Sequence, residues 1–262
     1  MLIPKALTIA GSDSGGGAGI QADLKTFSAF RVFGTSVITA VTAQNSLGVQ
    51  AVENLPPAFV AQQMRSVLSD IGADAAKCGM LSTAAIIEAV AATLGEHPVE
   101  RLVVDPVMVA TSGDPLLRPD ARQALIERML PLALVATPNL PEAEALAGMP
   151  VAARPDMEEA ARRIQRLGPR AVLVKGGHLK DEAVDVLWDG RALTAFSAPR
   201  VAAFKPHGTG CTLSAAIAAG LARGRPLGDA IRDAKAYVTR AIREGFTAGR
   251  GAGQLRHFLT EW

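Results

Sequence analysis

Short, continuously apolar segments alternate with helical segments along this chain, and no other feature of the sequence constrains the fold as strongly. The segments 6–10, 101–105 and 171–175 are typical of the apolar ones. Strands that are apolar along their whole length occur in sheets that are buried on both faces. When such strands alternate with helices, they pair in parallel and the helices cover both faces of the sheet. The sequence therefore predicts an α/β fold with three layers, α/β/α, around a mainly parallel central sheet.

The predicted strands and helices follow one another without a linker between domains. The predicted strands are 6–10, 36–42, 49–52, 75–78, 101–105, 132–136, 171–175, 183–188 and 191–196. The predicted helices are 20–30, 59–71, 82–94 with Ser82 as its N-cap, 119–129, 141–146, 157–167, 211–221, 227–244 and one near the C-terminus. Because no repeat and no Ser-, Gly- and Pro-rich segment interrupts this series, we expect one domain over residues 1–262.

Composition and charge exclude several classes of protein. Hydrophobic residues make up 49% of the chain but aromatic residues only 4%, so Ala, Val, Leu and Ile must form the core. The formal net charge is +2, and no cluster of Lys and Arg resembles a nucleic-acid surface. No apolar segment reaches the roughly 18 residues of a membrane span. The N-terminus lacks signal-peptide features and the two cysteines lie far apart, so we expect a cytoplasmic protein without disulfides.

Four loops that follow predicted strands carry polar groups. They are the loops 11–23, 105–108, 137–142 and 175–178. In an open α/β sheet, ligands bind beyond the carboxyl ends of the strands. We therefore expect the functional site where these loops meet.

The segment 207–212, with sequence HGTGCT, leads directly into a predicted helix. A glycine turn that begins a helix presents unpaired backbone N–H groups at the positive end of the helix dipole, which suits an anion such as a phosphoryl group. Cys211 lies in the first turn, where a helix N-terminus should lower the pKa of a thiol. These features indicate phosphoryl transfer. From this segment alone, a glycine turn with a buried cysteine is an equally good interpretation.

The glycine-rich loop 11–19 joins the first predicted strand to a helix, so its backbone can approach a ligand closely. It does not match G-x-G-x-x-G, and no Walker loop occurs in the chain. Asp23 follows this loop and is a candidate hydrogen-bond acceptor for a small polar substrate. Placement near a helix N-terminus explains Asp23 equally well. Gln44 is either a polar turn residue or an amide that binds the edge of a heterocycle.

Charged residues end two of the apolar strands and begin a helix. Asp105 ends a buried strand, where a carboxylate needs a partner or a metal. Asn139 and Glu142 have the spacing of a capping box, which is compatible with binding Mg²⁺ through water. Lys175 precedes two glycines and is placed to reach a phosphate, although an end residue that extends towards solvent is the alternative. Met80 lines a pocket or fills a gap in the core. The four histidines show no zinc-ligand spacing.

Taken together, these segments resemble the ribokinase-like superfamily, and more closely the hydroxymethylpyrimidine/phosphomethylpyrimidine kinases of the thiamine pathway. The segments that carry the resemblance are 9–23, 41–45, 104–108, 137–143, 175–178 and 207–212. The resemblance covers nearly the whole chain. One departure is Lys205-Pro206 before His207, where small or amide residues are expected.

The resemblance implies a kinase that depends on ATP and Mg²⁺ and acts in two steps. It would phosphorylate the hydroxymethyl group of 4-amino-5-hydroxymethyl-2-methylpyrimidine and then convert the monophosphate to the diphosphate. Cys211 would be the base in the first step, and Gly208, Thr209 and Gly210 would form the anion hole. Members of this family have a short β flap without a separate lid domain and are dimeric, so the resemblance implies the same for this chain.

The resemblance also implies which residues bind the two substrates. Gln44 would hydrogen-bond the pyrimidine, and the residues near it would be Gly11, Asp23, Met80 and Val107. The residues that serve the phosphates and the metal would be Asp105, Asn139, Glu142 and Lys175, with Mg²⁺ held by Glu142 and Asp105 through water.

Three other functions compete with this interpretation. Pyridoxal kinase is the closest alternative, because some relatives with a Gly-Thr-Gly-Cys segment phosphorylate pyridoxal or pyridoxine. Gln44 and Met80, however, favour the aminopyrimidine. A small-molecule binding protein and a dinucleotide oxidoreductase belong to other classes. The missing dinucleotide fingerprint and the position of Cys211 argue against both.

Overall fold

The computed structural model describes residues 3–108, 119–177, 183–201 and 206–259. The strands are β1 (Lys5–Asp13), β2 (Phe33–Asn45), β3 (Gly48–Asn54), β4 (Ala75–Cys78), β5 (Leu102–Val104), β6 (Val135–Ala136), β7 (Ala171–Lys175), β8 (Ala183–Trp188), β9 (Leu193–Ala198), β10 (Pro206–His207) and β11 (Gly253–Gln254). The helices are α1 (Gly19–Ala29), α2 (Pro57–Asp70), α3 (Ala84–Glu96), α4 (Pro119–Ala124), α5 (Leu140–Ala147), α6 (Arg154–Gln165), α7 (Thr209–Ala222) and α8 (Leu227–Arg243).

Nine of the described strands form one sheet in the order β3-β2-β1-β4-β5-β6-β7-β8-β9. β1 pairs in parallel with β2 and β4, and the parallel pairing continues through β5 and β6 to β7. β3, β8 and β9 join the sheet in antiparallel fashion. The predicted α/β fold with a mainly parallel sheet is confirmed. The β2–β3 hairpin is the element that fits the expected short β flap.

The two faces of the sheet have separate cores, because neighbouring residues of a strand point to opposite faces. In β5, Leu102 and Val104 pack in a core with residues of α2 to α6, whereas Val103 packs in a core with residues of α1, α7 and α8. Helices therefore cover both faces, as the three-layer prediction requires. Ala, Val, Leu and Ile dominate both cores, as the composition indicates.

The sheet also shows where a ligand should bind. α1 follows β1 on one face, and α3 follows β4 on the other face, although β1 and β4 are neighbours in the sheet. This change of face creates a crevice beyond the carboxyl ends of the two strands, which is the usual ligand site in open α/β sheets. Within the described residues, no helix is long and apolar enough to span a membrane.

Two local predictions were wrong, and a third was right in its bounds but not in its helix type. The N-cap of α3 is Thr83, whose hydroxyl accepts the Ile86 N–H, while Ser82 lies in the left-handed region with φ of 50°. The predicted helix 119–129 ends as an α-helix at Ala124 and continues as a π-helical turn, just before a 3₁₀ turn that contains a proline.

The other wrong prediction is the helix near the C-terminus. The described residues 245–259 contain the short strand β11 and no helix. Glycines at 249, 251 and 253 oppose a helix, since glycine is a poor helix former. A Cβ at Gly251 would lie 1.9 Å from the carbonyl oxygen of Ser46, so a close backbone approach fixes this segment instead.

Candidate active site

A cavity of about 1060 Å³ lies beyond the carboxyl ends of the parallel strands. The predicted site residues that line it are Gly11, Gln44, Met80, Asp105, Val107, Asn139, Glu142, Lys175, Gly208, Thr209, Gly210 and Cys211. The loops that were expected to meet therefore do meet. Asp23 is the predicted residue that the structure does not bring to the cavity wall. His178 and Lys205 lie outside the described residues.

The N-terminus of α7 opens into the cavity. Gly208 is the N-cap, with φ of 80°, and its carbonyl accepts the backbone N–H of Thr212. The hydroxyl of Thr209 is buried and has no hydrogen-bond partner in the described part of the chain. Unpaired backbone N–H groups in the first turn, together with this free hydroxyl, form a set of donors for an anion.

Cys211 lies in the first turn of α7, as predicted, but its thiol does not have the lowered pKa that was expected. Burial raises the pKa of the Cys211 thiol. The ammonium group of Lys77 opposes this rise, while the carboxylates of Asp23 and Asp105 add to it. A helix N-terminus alone therefore does not decide the protonation of this thiol, because charges from other elements surround it.

Lys175 and Asp105 form an ion pair in the cavity wall beside the start of α7. Lys175 Nζ donates to Asp105 Oδ1 at 2.7 Å, and the hydroxyls of Thr137 and Ser214 donate to the same carboxylate at 3.1 Å. Burial alone would raise the pKa of Asp105, but Lys175 and Lys77 hold this pKa below its ordinary value. Burial alone would lower the pKa of Lys175, but the carboxylates of Asp105 and Glu142 raise this pKa above its ordinary value. The pair is thus ionised and fixed at the cavity.

Asn139 and Glu142 form the predicted capping box at the start of α5. The Asn139 side chain accepts the Glu142 N–H at 2.9 Å, and the Glu142 carboxylate accepts the Asn139 N–H at 2.8 Å. Burial raises the pKa of Glu142 to about 7. The capping role and a role at the cavity are compatible, since both residues line it.

Gly11 and Met80 lie together in the cavity wall. A Cβ at Gly11 would lie 2.4 Å from Met80 Cε, so a larger residue at position 11 would require the end of the Met80 side chain to move. Met80 is buried and still lines the cavity, as does Val107. These residues form an apolar surface beside the glycine-rich loop.

Gln44, His207 and Asp13 form a polar cluster near this apolar surface. Gln44 Nε2 lies 3.0 Å from His207 Nε2, which lies 3.2 Å from Asp13 Oδ2. Asp13 also accepts the backbone N–H groups of Gly15 and Ala18 at 2.8 Å. Although burial alone would raise it, these hydrogen bonds hold the pKa of Asp13 below its ordinary value. The cluster connects the glycine-rich loop to the segment that precedes α7.

Asp23 lies behind the cavity wall and pairs with Lys77. Lys77 Nζ donates to Asp23 Oδ2 at 2.8 Å, and both side chains are completely buried. The Thr8 hydroxyl donates to the same oxygen at 2.6 Å. The sequence analysis assigned no role to Lys77. A lysine inside the four-residue strand AAKC, which is otherwise apolar or small, was the available signal.

His257 is a second buried group that the sequence analysis left without a role. Its Nε2 lies 3.0 Å from the hydroxyl of Thr212, the residue after Cys211, and its carbonyl oxygen accepts the Tyr237 hydroxyl. Burial lowers the pKa of His257 to about 4. His257 therefore ties the C-terminal segment to the first turn of α7 as a neutral side chain.

This low pKa predicts a loss of stability in acid. Below about pH 6.5 the unfolded chain protonates His257, whereas the folded chain does so only near pH 4, so folding becomes weaker as the pH falls through this range. Lowering the pH from 7.5 to 5 should reduce the free energy of unfolding by about 2 kcal/mol through His257. Urea unfolding of the wild type and His257→Gln at both pH values measures this difference. Equal pH dependence of the two proteins would contradict the prediction.

Comparisons with known proteins agree on one family. Residues 13–256 match the family model described as phosphomethylpyrimidine kinase. A hydroxymethylpyrimidine/phosphomethylpyrimidine kinase of Rhizobium meliloti is 56% identical over 261 residues, which is 98% of this chain and 98% of that protein.

Solved structures of two kinds of kinase share this fold. A phosphomethylpyrimidine kinase of Clostridium difficile matches with a TM-score of 0.82 and 46% identity, over 92% of this chain and all of that one. A pyridoxal kinase of Bacillus subtilis, solved as an ADP complex, matches with a TM-score of 0.91 and 43% identity, over 98% of both chains. The fold of this chain is thus that of small-molecule kinases.

Proposed function

The chain belongs to the phosphomethylpyrimidine kinase family, and we propose that it transfers the γ-phosphoryl group of ATP, complexed with Mg²⁺, to two acceptors in turn. The first acceptor is 4-amino-5-hydroxymethyl-2-methylpyrimidine and the second is its monophosphate. The chain thus acts as a kinase in two successive steps of thiamine biosynthesis. Its fold and the similarity over nearly the whole chain support this function.

One observation carries the assignment of the site to phosphoryl transfer. The N-terminus of α7 and the ammonium group of Lys175 face each other, since a Cβ at Gly210 would lie 3.2 Å from Lys175 Nζ. Two sources of positive potential thus converge on one point of the cavity. Phosphoryl transfer needs such charge neutralisation and alignment more than covalent chemistry. Gly208, Thr209 and Gly210 would hold the transferred group, with Lys175 on its other side.

Cys211 would act as the base in the first step. Its thiolate takes the proton of the substrate hydroxyl as that oxygen forms a bond to the γ-phosphorus. The bond between this phosphorus and the bridging oxygen breaks, and ADP leaves with the electron pair. The second acceptor is a phosphate oxygen that is already ionised near neutral pH, so this step has no hydroxyl proton to remove.

A thiol that must remain free also favours a reducing compartment, and we propose that the protein acts in the cytoplasm.

The residues near Lys175 fit a magnesium ion that arrives with the nucleotide. Magnesium usually binds one or two carboxylates, several waters and the phosphates of the substrate. Glu142 and Asp105 supply two carboxylates at the cavity, and no larger cluster of metal-binding side chains occurs in the described part of the chain. We propose that Glu142 and Asp105 hold the ion through water, with Asn139 positioning Glu142. The ion would neutralise phosphate charge when bound.

The pyrimidine would bind beside the glycine-rich loop. Met80, Val107 and the backbone at Gly11 offer an apolar surface for the ring, and Gln44 offers an amide beside it. The Gln44 side chain is held by Thr42, whose hydroxyl donates to Gln44 Oε1 at 3.2 Å, and by His207. Asp23 would contribute indirectly, since it lies behind the cavity wall.

Replacing Gln44 with alanine should therefore raise KM for the pyrimidine about tenfold, the effect of one lost hydrogen bond. KM for ATP should not change, because the described hydrogen bonds between Gln44 and other side chains are with Ser14, Thr42 and His207 and not with Asp105, Asn139, Glu142 or Lys175. Steady-state kinetics with each substrate varied in turn measures both constants. Gln50→Ala is the matched control, since Gln50 is exposed on β3 and, among the described residues, its amide donates to the Gly48 carbonyl alone. A rise in both constants would mean that Gln44 is structural.

Phosphorylation of pyridoxal is a second candidate activity. The specific observation in its favour is the TM-score of 0.91 with the Bacillus subtilis pyridoxal kinase. ADP release with ATP and Mg²⁺ should be measured with four acceptors: the hydroxymethylpyrimidine, its monophosphate, pyridoxal and a sugar. Turnover of both pyrimidines supports the proposed function. Turnover of pyridoxal alone would indicate a function in vitamin B6 metabolism. Pyrimidine binding without ADP release would indicate a binding protein.

We also propose that the protein is a homodimer. The edge hairpin β2–β3 exposes Val41 and Val52, and the turn between its strands exposes Leu47. Exposed apolar side chains on a sheet edge favour association with another surface. Light scattering after size-exclusion chromatography measures the mass, and a single species of 27.2 kDa would refute the dimer.

A further inference from the structure

Lys77 is a fully buried charge beside the site, and the proposed chemistry does not yet use it. It lies in β4, where all four residues are buried. Its ammonium group is held by Asp23, and Asp23 in turn accepts the Thr8 hydroxyl. Burying two charges is costly, and an apolar pair of the same volume would often be at least as stable. Such a pair is therefore weak evidence for stability alone, and Lys77 lines the same cavity as Cys211, which suggests another role.

Two helix N-termini converge on Cys211. Its own helix, α7, begins two residues earlier, and the backbone N–H of Gly19 at the start of α1 lowers the pKa of the Cys211 thiol. The two helices pack against each other. A Cβ at Gly208 would lie only 1.8 Å from the Gly17 carbonyl oxygen, which shows how closely the two ends approach.

The charged groups around Cys211 come from four different parts of the fold. Lys77 from β4 and Lys175 from β7 favour a negative sulfur, whereas Asp23 from α1 and Asp105 after β5 oppose it. Lys77 is the strongest of the favourable charges, and it lies on β4, a strand against which α7 packs. The balance between these groups determines whether a buried thiol can ionise.

We propose that Lys77 is a positioning residue for the first phosphoryl transfer. Its ammonium group, together with the N-terminus of α1, provides the positive potential that allows the Cys211 sulfur to exist as a thiolate and accept the substrate's hydroxyl proton. Asp23 and Thr8 hold Lys77 in place from behind the cavity wall. This inference rests on the proposed role of Cys211 as the base.

The position of Asp23 supports this arrangement. Its Oδ2 takes both hydrogen bonds, while its Oδ1 is buried without a partner in the described residues. A side chain that is completely buried cannot reach a ligand in the cavity without a rearrangement. Orientation of Lys77 is thus the function that the contacts of Asp23 allow.

The test measures the ionisation of Cys211 directly, without turnover. The rate of alkylation by iodoacetamide is followed from pH 6 to pH 10 through the mass of the peptide that contains Cys211, so Cys78 does not interfere. In Lys77→Met the midpoint should move up by about one pH unit or more, because a nearby positive charge is lost. The pH profile of the first transfer should move with it, while that of the second transfer should not.

A double variant keeps the test decisive if Lys77→Met alone does not fold. Lys77→Met with Asp23→Asn removes both charges, so no unpaired charge stays buried, and circular dichroism checks its fold. The midpoint should still move up, because Lys77 affects the thiol more strongly than Asp23 does. A wild-type midpoint in the folded variants would overturn the proposal. If the midpoint moves but neither pyrimidine is phosphorylated by the wild type, the proposed function fails while the effect of Lys77 on the thiol stands.

Discussion

Replacing Cys211 with alanine is expected to lower kcat for phosphorylation of the hydroxymethylpyrimidine by about 100-fold or more, the typical contribution of a general base. The same variant should phosphorylate the monophosphate at nearly the wild-type rate. The reason is the difference between the acceptors, since an alcohol must lose its proton during transfer but a phosphate oxygen is already ionised. The ratio of the two rates therefore isolates proton removal from binding and alignment.

The measurement is kcat for each acceptor at saturating ATP and Mg²⁺. Cys78→Ala is the control, because Cys78 is a second free thiol that lies in the core and does not line the cavity. It should leave both rates of the folded enzyme unchanged. If Cys211→Ala slows both transfers equally, Cys211 shapes the site but is not the base. If neither transfer slows, the residue has no part in the chemistry.

Much of the fold could be predicted from the sequence, because the relevant signals are local. A strand such as 171–175 is apolar throughout, and only a sheet covered on both faces buries such a segment. The capping box at Asn139 and Glu142 depends on two residues three positions apart, and the structure confirms it. The rule that ligands bind at the carboxyl ends of strands selected loops that line one cavity.

The protonation of Cys211 could not be predicted in this way. The expected lowering considered only the helix to which the cysteine belongs, whereas burial and the carboxylates of Asp23 and Asp105 raise the pKa. These groups lie 188 and 106 positions away in the sequence. Lys77 was missed for the same reason, because its partner Asp23 lies 54 positions away. Electrostatic properties of a site depend on contacts between distant segments, which local patterns do not reveal.

The position of Asp23 shows how a correct location can suggest the wrong contact. Asp23 is near the site, as expected, but it turns away from the cavity and pairs with Lys77. Asp23 lies in the second turn of α1, and the sequence does not indicate which side chain of another element its carboxylate will meet. The partner that determines its direction is the buried lysine of a neighbouring strand.

Replacing Gly208 with alanine is the second change that should have a large effect. Gly208 has φ of 80°, and a Cβ there would lie 1.8 Å from the carbonyl oxygen of Gly17. The glycine-rich loop or the start of α7 must therefore move, and the backbone donors of the anion site move with it. Loss of aligned donors at a developing charge typically costs about 100- to 1000-fold in kcat. Both transfers should slow, in contrast to the selective effect of Cys211→Ala.

Gly224→Ala separates this displacement from simple backbone strain. Gly224 follows the other end of α7 with φ of 79°, and no atom lies within 4 Å of the position of its Cβ. Both substitutions cost about 1 kcal/mol for the left-handed conformation, but only Gly208→Ala disturbs the site. Unfolding free energy and kcat for both acceptors, measured on the two variants, decide the matter. If Gly208→Ala retains the activity of Gly224→Ala, then the N-terminus of α7 does not stabilise the transferred group, and Lys175 with Mg²⁺ must supply that charge.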